Sequence, residues 1–245
     1  MAISRRNRLS RFHDEKGNFI NPSNLIDIIP SFFERIKASK ILKKNSFLPI
    51  IPYNSIRIFE KYLSNDIQLI EWGSGRSTSW YAEKCGKVFS VESDDYWYRE
   101  TLRLLNKKSL KNFDLLLTQN RFDYINKPLD KLDPNSLKVF VIDGIFRNMC
   151  ALASVNYCTK KDVIYLDDSD KFWALADAKE EPIDSPDSLK YAFTNLLNGL
   201  APQGFACISV RGFSPTQLHV KEATFFFHKS NKKFIEAIKP FAAIL

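Results

Sequence analysis

"LIEWGSGRSTSW", residues 69–80, sets an apolar pair against an acid, then two glycines in three residues, then a polar run. That order reads as a buried strand, a tight turn and the opening of a helix. Working outward, short apolar runs alternate with segments of helical spacing. Strands are expected at 67–72, 87–92, 114–119, 137–143, 162–167, 205–210 and 223–228. Helices are expected at 77–85, stopped by Gly86, and at 96–106, 146–157 and 188–199. Most of these strands are apolar on both faces, the pattern of a parallel sheet covered by helices on each side. The fold class is therefore α/β, with a doubly wound, mostly parallel, Rossmann-like sheet.

Upstream, residues 1–20 are polar and carry Arg5, Arg6, Arg8 and Arg11, which reads as a basic flexible arm. Residues 21–65 form an N-terminal helical segment, with helical spacing over 23–44, divided by Pro30, and over 54–64. The sheet domain spans 66–230 and a tail follows at 231–245. The stretch 174–190 reads as an insertion at the substrate mouth, which Phe172 and Trp173 either line or underpin.

The chain has 245 residues, 44% hydrophobic, with 20 Phe, enough for the core of one such domain. A net charge of +8 admits anionic partners without naming one. Cys85, Cys150, Cys158 and Cys207 form no Cys-x-x-Cys pair, and Cys150 and Cys158 have no His at ligand spacing, so all four read as reduced residues of a cytoplasmic protein. No apolar run has the length of a membrane span, and the basic start lacks the apolar region of a secretory signal.

In open α/β sheets, ligands bind at the carboxyl ends of the strands. Here the first strand ends in Glu71 before Gly73 and Gly75, the second in Glu92, the fourth in Asp143-Gly144 and the fifth in Asp167-Asp168. Four acidic strand ends crowd like charges unless cations or hydrogen bonds compensate. They point to a positively charged ligand, a metal ion, or both. The glycines let the backbone approach a ligand closely. Glu92 stands 21 residues after Glu71, where a carboxylate accepts both hydroxyls of a ribose, as in NAD and S-adenosylmethionine sites. Thr78 occupies the third glycine position of the dinucleotide fingerprint, and Glu71 would repel a pyrophosphate, whereas a sulfonium and an ammonium suit it. No P-loop and no Gly-x-Ser-x-Gly elbow is present.

The stretches "FLPIIPYNSIRIFEKYL", "IEWGSGRSTSWYA", "FSVESDDYWY", "FVIDGIFRNMCALAS", "VIYLDDSDKFW" and "GFACISVRGFSPTQLHVKEATFFFHK", in this order over 47–230, resemble a bacterial branch of the class I S-adenosylmethionine-dependent methyltransferases. The resemblance implies a sheet of about seven strands with the last antiparallel. It implies that Glu71, Gly73 and Gly75 hold the methionine end of the cofactor and that Ser77 and Thr78, at the polar start of the following helix, also bind the cofactor. It gives Glu92 the ribose and Asp143 a place near the transferred methyl. The order Asp143, Asp167, Asp168 is also similar to the metal triad of catechol-type and macrolide-sugar O-methyltransferases, which hold Mg²⁺.

The expected activity is methylation of a hydroxyl on a small molecule or glycan. Asp143 removes the proton directly, or Asp143, Asp167 and Asp168 hold Mg²⁺ and lower the hydroxyl pKa. Arg147 either clamps a substrate anion or pairs with a neighbouring acid. Trp72 and Tyr96–Tyr98 are neighbours of an adenine or of the core, and Tyr53 packs or approaches the cofactor. "DGIFR" (143–147) is not the motif of nucleic-acid amino-methyltransferases. Two alternatives remain: an RNA methyltransferase, suggested by the charge and the arm, and a nicotinamide-dependent oxidoreductase, suggested by Glu92. Oligomeric state and acceptor are not encoded in any motif.

Overall fold

Leu69 and Ile70 are neighbours in sequence, and both are fully buried on opposite faces of one strand. That double burial requires helices on both sides, and the computed structural model, which describes residues 8–38, 48–171 and 188–241, has them. The chain runs α1 (Ile28–Lys37), α2 (Tyr53–Tyr62), β1 (Ile67–Trp72), α3 (Arg76–Ala82), β2 (Lys87–Glu92), α4 (Asp95–Lys107) and β3 (Phe113–Leu117). It continues with α5 (Arg121–Asn126), β4 (Leu137–Ile142), α6 (Arg147–Tyr157), β5 (Val163–Leu166), α7 (Leu189–Leu200), β6 (Phe205–Ser214), β7 (Gln217–His228) and α8 (Lys232–Ile238).

The seven strands form one sheet in the order β3-β2-β1-β4-β5-β7-β6. β1 to β5 are parallel, and β7 is antiparallel to both β5 and β6. On one face Leu69, Val139, Val163 and Phe225 pack with Phe59 of α2, Trp80 and Tyr81 of α3 and Phe234 of α8. On the other, Ile70, Trp72, Phe140, Ile164 and Phe226 pack with Tyr124 of α5, Cys150 of α6 and Leu196 of α7. The strand order reverses between β1 and β4, and there the carboxyl ends of both strands open outward, the usual ligand crevice of such sheets.

Several expectations change. Proline 30 does not divide the first helical stretch. A 3₁₀ turn covers Pro22–Asp27, and Pro30 sits in the first turn of α1, where its missing N–H is needed by no intrahelical bond. Residues 8–20 are not a free arm. His13 and Phe19 form a β-bridge, the Val220 N–H donates to the Arg11 carbonyl at 3.0 Å, and Asp14 and Ile20 are fully buried. Arg5, Arg6, Phe172, Trp173 and most of the stretch 174–190 lie outside the described residues. The tail contains α8, whose Phe234 side chain is fully buried. Helix α5 was not foreseen, and β6 and β7 run longer than their apolar cores, turning at Thr216 with φ of +69°. Among the described residues no helix is long and apolar enough to cross a membrane, and all four cysteines are free.

Candidate active site

The turn after β1 passes against the turn after β4. Gly73 adopts φ of +102°, and a Cβ there would lie 2.5 Å from the Gly144 Cα. A Cβ on Gly144 would meet the Gly73 Cα at 2.8 Å and the Tyr124 hydroxyl at 2.1 Å. The two glycines let two strand ends touch, and the Gly144 N–H donates to the Trp72 carbonyl at 2.6 Å. Gly75 differs. Its backbone is extended, and a Cβ would meet only the Ser77 Oγ, at 3.9 Å. The protein itself leaves open the space beside it.

That space is an open cleft of about 180 Å³ lined by Ile50, Ile51, Ser74, Gly75, Arg76, Ser77, Trp97 and Asp143. Ser74 ties it to Glu92, donating to Oε2 at 3.3 Å. Glu92 Oε1 accepts the Ser93 and Asp94 N–H groups at 2.7 and 2.9 Å, which fixes the carboxylate at the end of β2. Among the described residues Oε2 has only the long Ser74 hydrogen bond, so it keeps acceptor capacity for a further hydroxyl.

Glu71 does not face the cleft. Its side chain is fully buried and accepts hydroxyls from Ser77 (2.6 Å), Thr78 (2.6 Å) and Ser90 (2.7 Å). Thr78 Oγ1 in turn accepts the Gly75 N–H at 3.0 Å. Glu71 therefore shapes the turn and anchors α3 to β2, rather than meeting a cationic ligand directly. Burial pushes its carboxyl up to about 7, against the opposing effect of the three hydroxyl donors.

Asp143, Asp167 and Asp168 do converge, each offering one oxygen within 4.8 Å of the others. Asp143 stands on the cleft wall with its side chain 35% exposed, while Asp167 and Asp168 are buried. Burial and the neighbouring Asp167 carboxylate hold the Asp143 carboxyl well above the usual range, with Arg147 and Lys221 opposing. Lys221 of β7 reaches the cluster, its Nζ 2.9 Å from Asp167 Oδ2 and 3.0 Å from Asp168 Oδ1. Lys171 pairs with Asp168, and Arg147 lies 3.3 Å from Asp143 Oδ1 and 3.9 Å from Asp168 Oδ2. The magnesium expectation does not fit this arrangement, because the carboxylates already hold cationic side chains, one of them between Asp167 and Asp168. Asp168 is correspondingly held below the usual carboxylate range despite its burial, chiefly by Lys221.

Arg147 resolves its two expected roles in favour of structure. It donates to the carbonyls of Gly144 (2.8 Å), Asp167 (2.9 Å) and Asp143, clasping the ends of β4 and β5. Trp72 is a core residue, stacked on Phe140 and donating to the Ile125 carbonyl. Trp97 is 46% exposed on the cleft and Tyr96 is 65% exposed beside it. Tyr53 is buried in α2 against Arg57. Sequence reasoning passed over Lys221 and Ser90. The available signal for Lys221 was a Lys-Glu pair just before the Phe225–Phe227 run of β7.

No protein-family model and no curated protein matches the chain. Solved structures do. The O-methyltransferase TomG from Streptomyces achromogenes, in complex with SAM, superposes with a TM-score of 0.55 at 13% identity, covering 81% of this chain and 89% of its own. Cofactor-bound Rv0187 from MTB gives 0.52 at 12% identity over 85% and 94%. SMU.1697c, a proposed methyltransferase from Streptococcus mutans in complex with SAH, gives 0.50 at 13% over 73% and 99%. The fold is that of the Rossmann-like methyltransferases. At such identities the likeness concerns the fold, and the acceptor must be argued from this site.

Proposed function

We propose that this chain is an S-adenosylmethionine-dependent methyltransferase acting on a hydroxyl of a small molecule or glycan. The observation that carries this reading is the cleft itself, which joins the side-chain-free Gly75 turn and Ser74–Glu92 to the half-exposed carboxylate of Asp143. When bound, S-adenosylmethionine supplies an electrophilic methyl group on a sulfonium. Glu92 Oε2 accepts a ribose hydroxyl. Gly75 leaves room for the methionine end, and Ile50 and Ile51 keep water from that wall. Asp143 stands beside the reacting oxygen. In its ionised form Asp143, faced by Arg147, would take the hydroxyl proton as the oxygen attacks the methyl carbon in line. The products are a methyl ether, S-adenosylhomocysteine and a protonated Asp143.

The nicotinamide alternative shares Glu92, and ligand binding separates the two. A ligand that binds only the folded chain stabilises it by about 2.7 kcal/mol at a hundredfold excess over Kd. Thermal unfolding should shift upward with S-adenosylhomocysteine, lose that shift in Glu92→Ala, and stay unchanged with NADH. A shift with NADH alone would remove the methyltransferase reading.

A further inference from the structure

We propose that Lys221 is a built-in cation, standing where a divalent ion would otherwise sit, so that the acid cluster of this chain works without a metal. Asp143, Asp167 and Asp168 come from the ends of adjacent parallel strands and gather three hard oxygens, the donor type a divalent ion takes. Lys221 enters that space from β7, the antiparallel strand beside β5. Its Nζ contacts Asp167 Oδ2 at 2.9 Å and Asp168 Oδ1 at 3.0 Å and donates to the Ile50 carbonyl at 2.9 Å. An ammonium carries three donors, and this one donates to Asp167 Oδ2 and the Ile50 carbonyl while pairing by charge with Asp168 Oδ1. These distances suit an ammonium, whereas Mg²⁺ draws its oxygens in to about 2.0–2.1 Å.

Charge gives the same answer independently. With all three ionised, Asp143, Asp167 and Asp168 face Arg147, Lys171 and Lys221, one cation for each acid, and a proton on Asp143 would only add to the positive side. An added divalent ion would leave a double positive excess in a mostly buried space, where uncompensated charge is strongly unfavourable. Removing Lys221 reverses the balance. It takes one positive charge from the cluster and opens the position between Asp167 and Asp168. Because Lys221 also holds the Ile50 carbonyl, it ties the cleft wall to the end of β5 and acts as a positioning residue. The inference concerns which cation the carboxylates hold and stands whether or not the chain transfers methyl groups.

The test is a Mn²⁺ titration of the full chain, followed through the electron paramagnetic resonance signal of the free ion. The wild-type chain should leave that signal undiminished over a range in which Lys221→Ala takes up one ion per chain. Adding Asp167→Asn to Lys221→Ala should abolish the uptake. A saturable site in the wild type that Asp167→Asn removes would overturn the proposal, and so would a folded Lys221→Ala chain with no site. If Lys221→Ala does not fold, Lys221→Gln keeps most of the side-chain length, drops the charge and is read in the same way.

Discussion

Gly73 and Gly75 share one turn, yet different atoms demand a missing side chain at each. At Gly73 the demand comes from the protein. A left-handed backbone and a Gly144 backbone 2.5 Å from any Cβ make Gly73→Ala strained and overpacked, at a cost of about 3 kcal/mol. At Gly75 the backbone is extended and the Cβ would project into open space. Gly75→Ala should therefore keep stability within about 0.5 kcal/mol of the parent. It should still weaken S-adenosylhomocysteine binding about tenfold or more, equivalent to 1.4 kcal/mol, because the new methyl occupies the cleft. Chemical denaturation of both variants, with calorimetric titration of Gly75→Ala, checks the pair. Equal destabilisation at the two positions would mean that the turn is only a turn.

At the scale of elements, Glu71 is the joint between β1, α3 and β2, since its partners are Ser77 and Thr78 on α3 and Ser90 on β2. A carboxyl raised from 4.5 to about 7 by burial is protonated in the folded chain while it is ionised in the unfolded one. Its contribution is therefore fully present below pH 4.5 and is lost as pH rises toward 7, at up to about 1.4 kcal/mol per pH unit. Denaturation of the wild type and Glu71→Gln across that window should show the difference between them changing in this direction and levelling off above pH 7. A difference independent of pH would mean that Glu71 stays ionised. The element boundaries around this joint were legible in sequence because apolar runs with short periods are local signals. The acids at the strand ends were legible for the same reason. Their partners were not. Lys221 lies 54 residues from Asp167, and only the antiparallel insertion of β7 beside β5 brings them together. Glu71 was read as facing a ligand because sequence shows an acid beside a glycine turn, whereas the direction of its side chain depends on three hydroxyls, one of them on another strand.

For the whole molecule, the decisive connection runs from the N-terminal hairpin to the last two strands. Residues 8–20 dock on the edge formed by β7, β6 and the loop after β5. Glu222, fully packed on β7, accepts Lys16 at 2.5 Å, Arg211 at 3.0 Å and Ser169 at 3.1 Å. Asp14 adds a second contact to Arg211 at 3.4 Å, and Asp170 accepts the Glu15 N–H at 2.9 Å. Burial, with the neighbouring Asp168 and Glu222 charges, pushes the Asp170 carboxyl up to about 7. Exposed ion pairs hold little, but a buried acid serving two cations is different, because deleting it removes the partner they share. Glu222→Ala should therefore lower the unfolding free energy by about 3 kcal/mol. It should also loosen the hairpin around Lys16 before the sheet unfolds, since Lys16, Arg211 and Ser169 all meet at this residue while the core beneath α2 and α8 keeps its own packing, Ile20 included. Limited trypsin digestion followed by mass spectrometry reads this directly: cleavage after Arg11 and Lys16 should precede any cut within β1 to β5. Simultaneous cleavage throughout would show that the hairpin and the sheet open as one unit, and that Glu222 stabilises the whole fold rather than one docked edge.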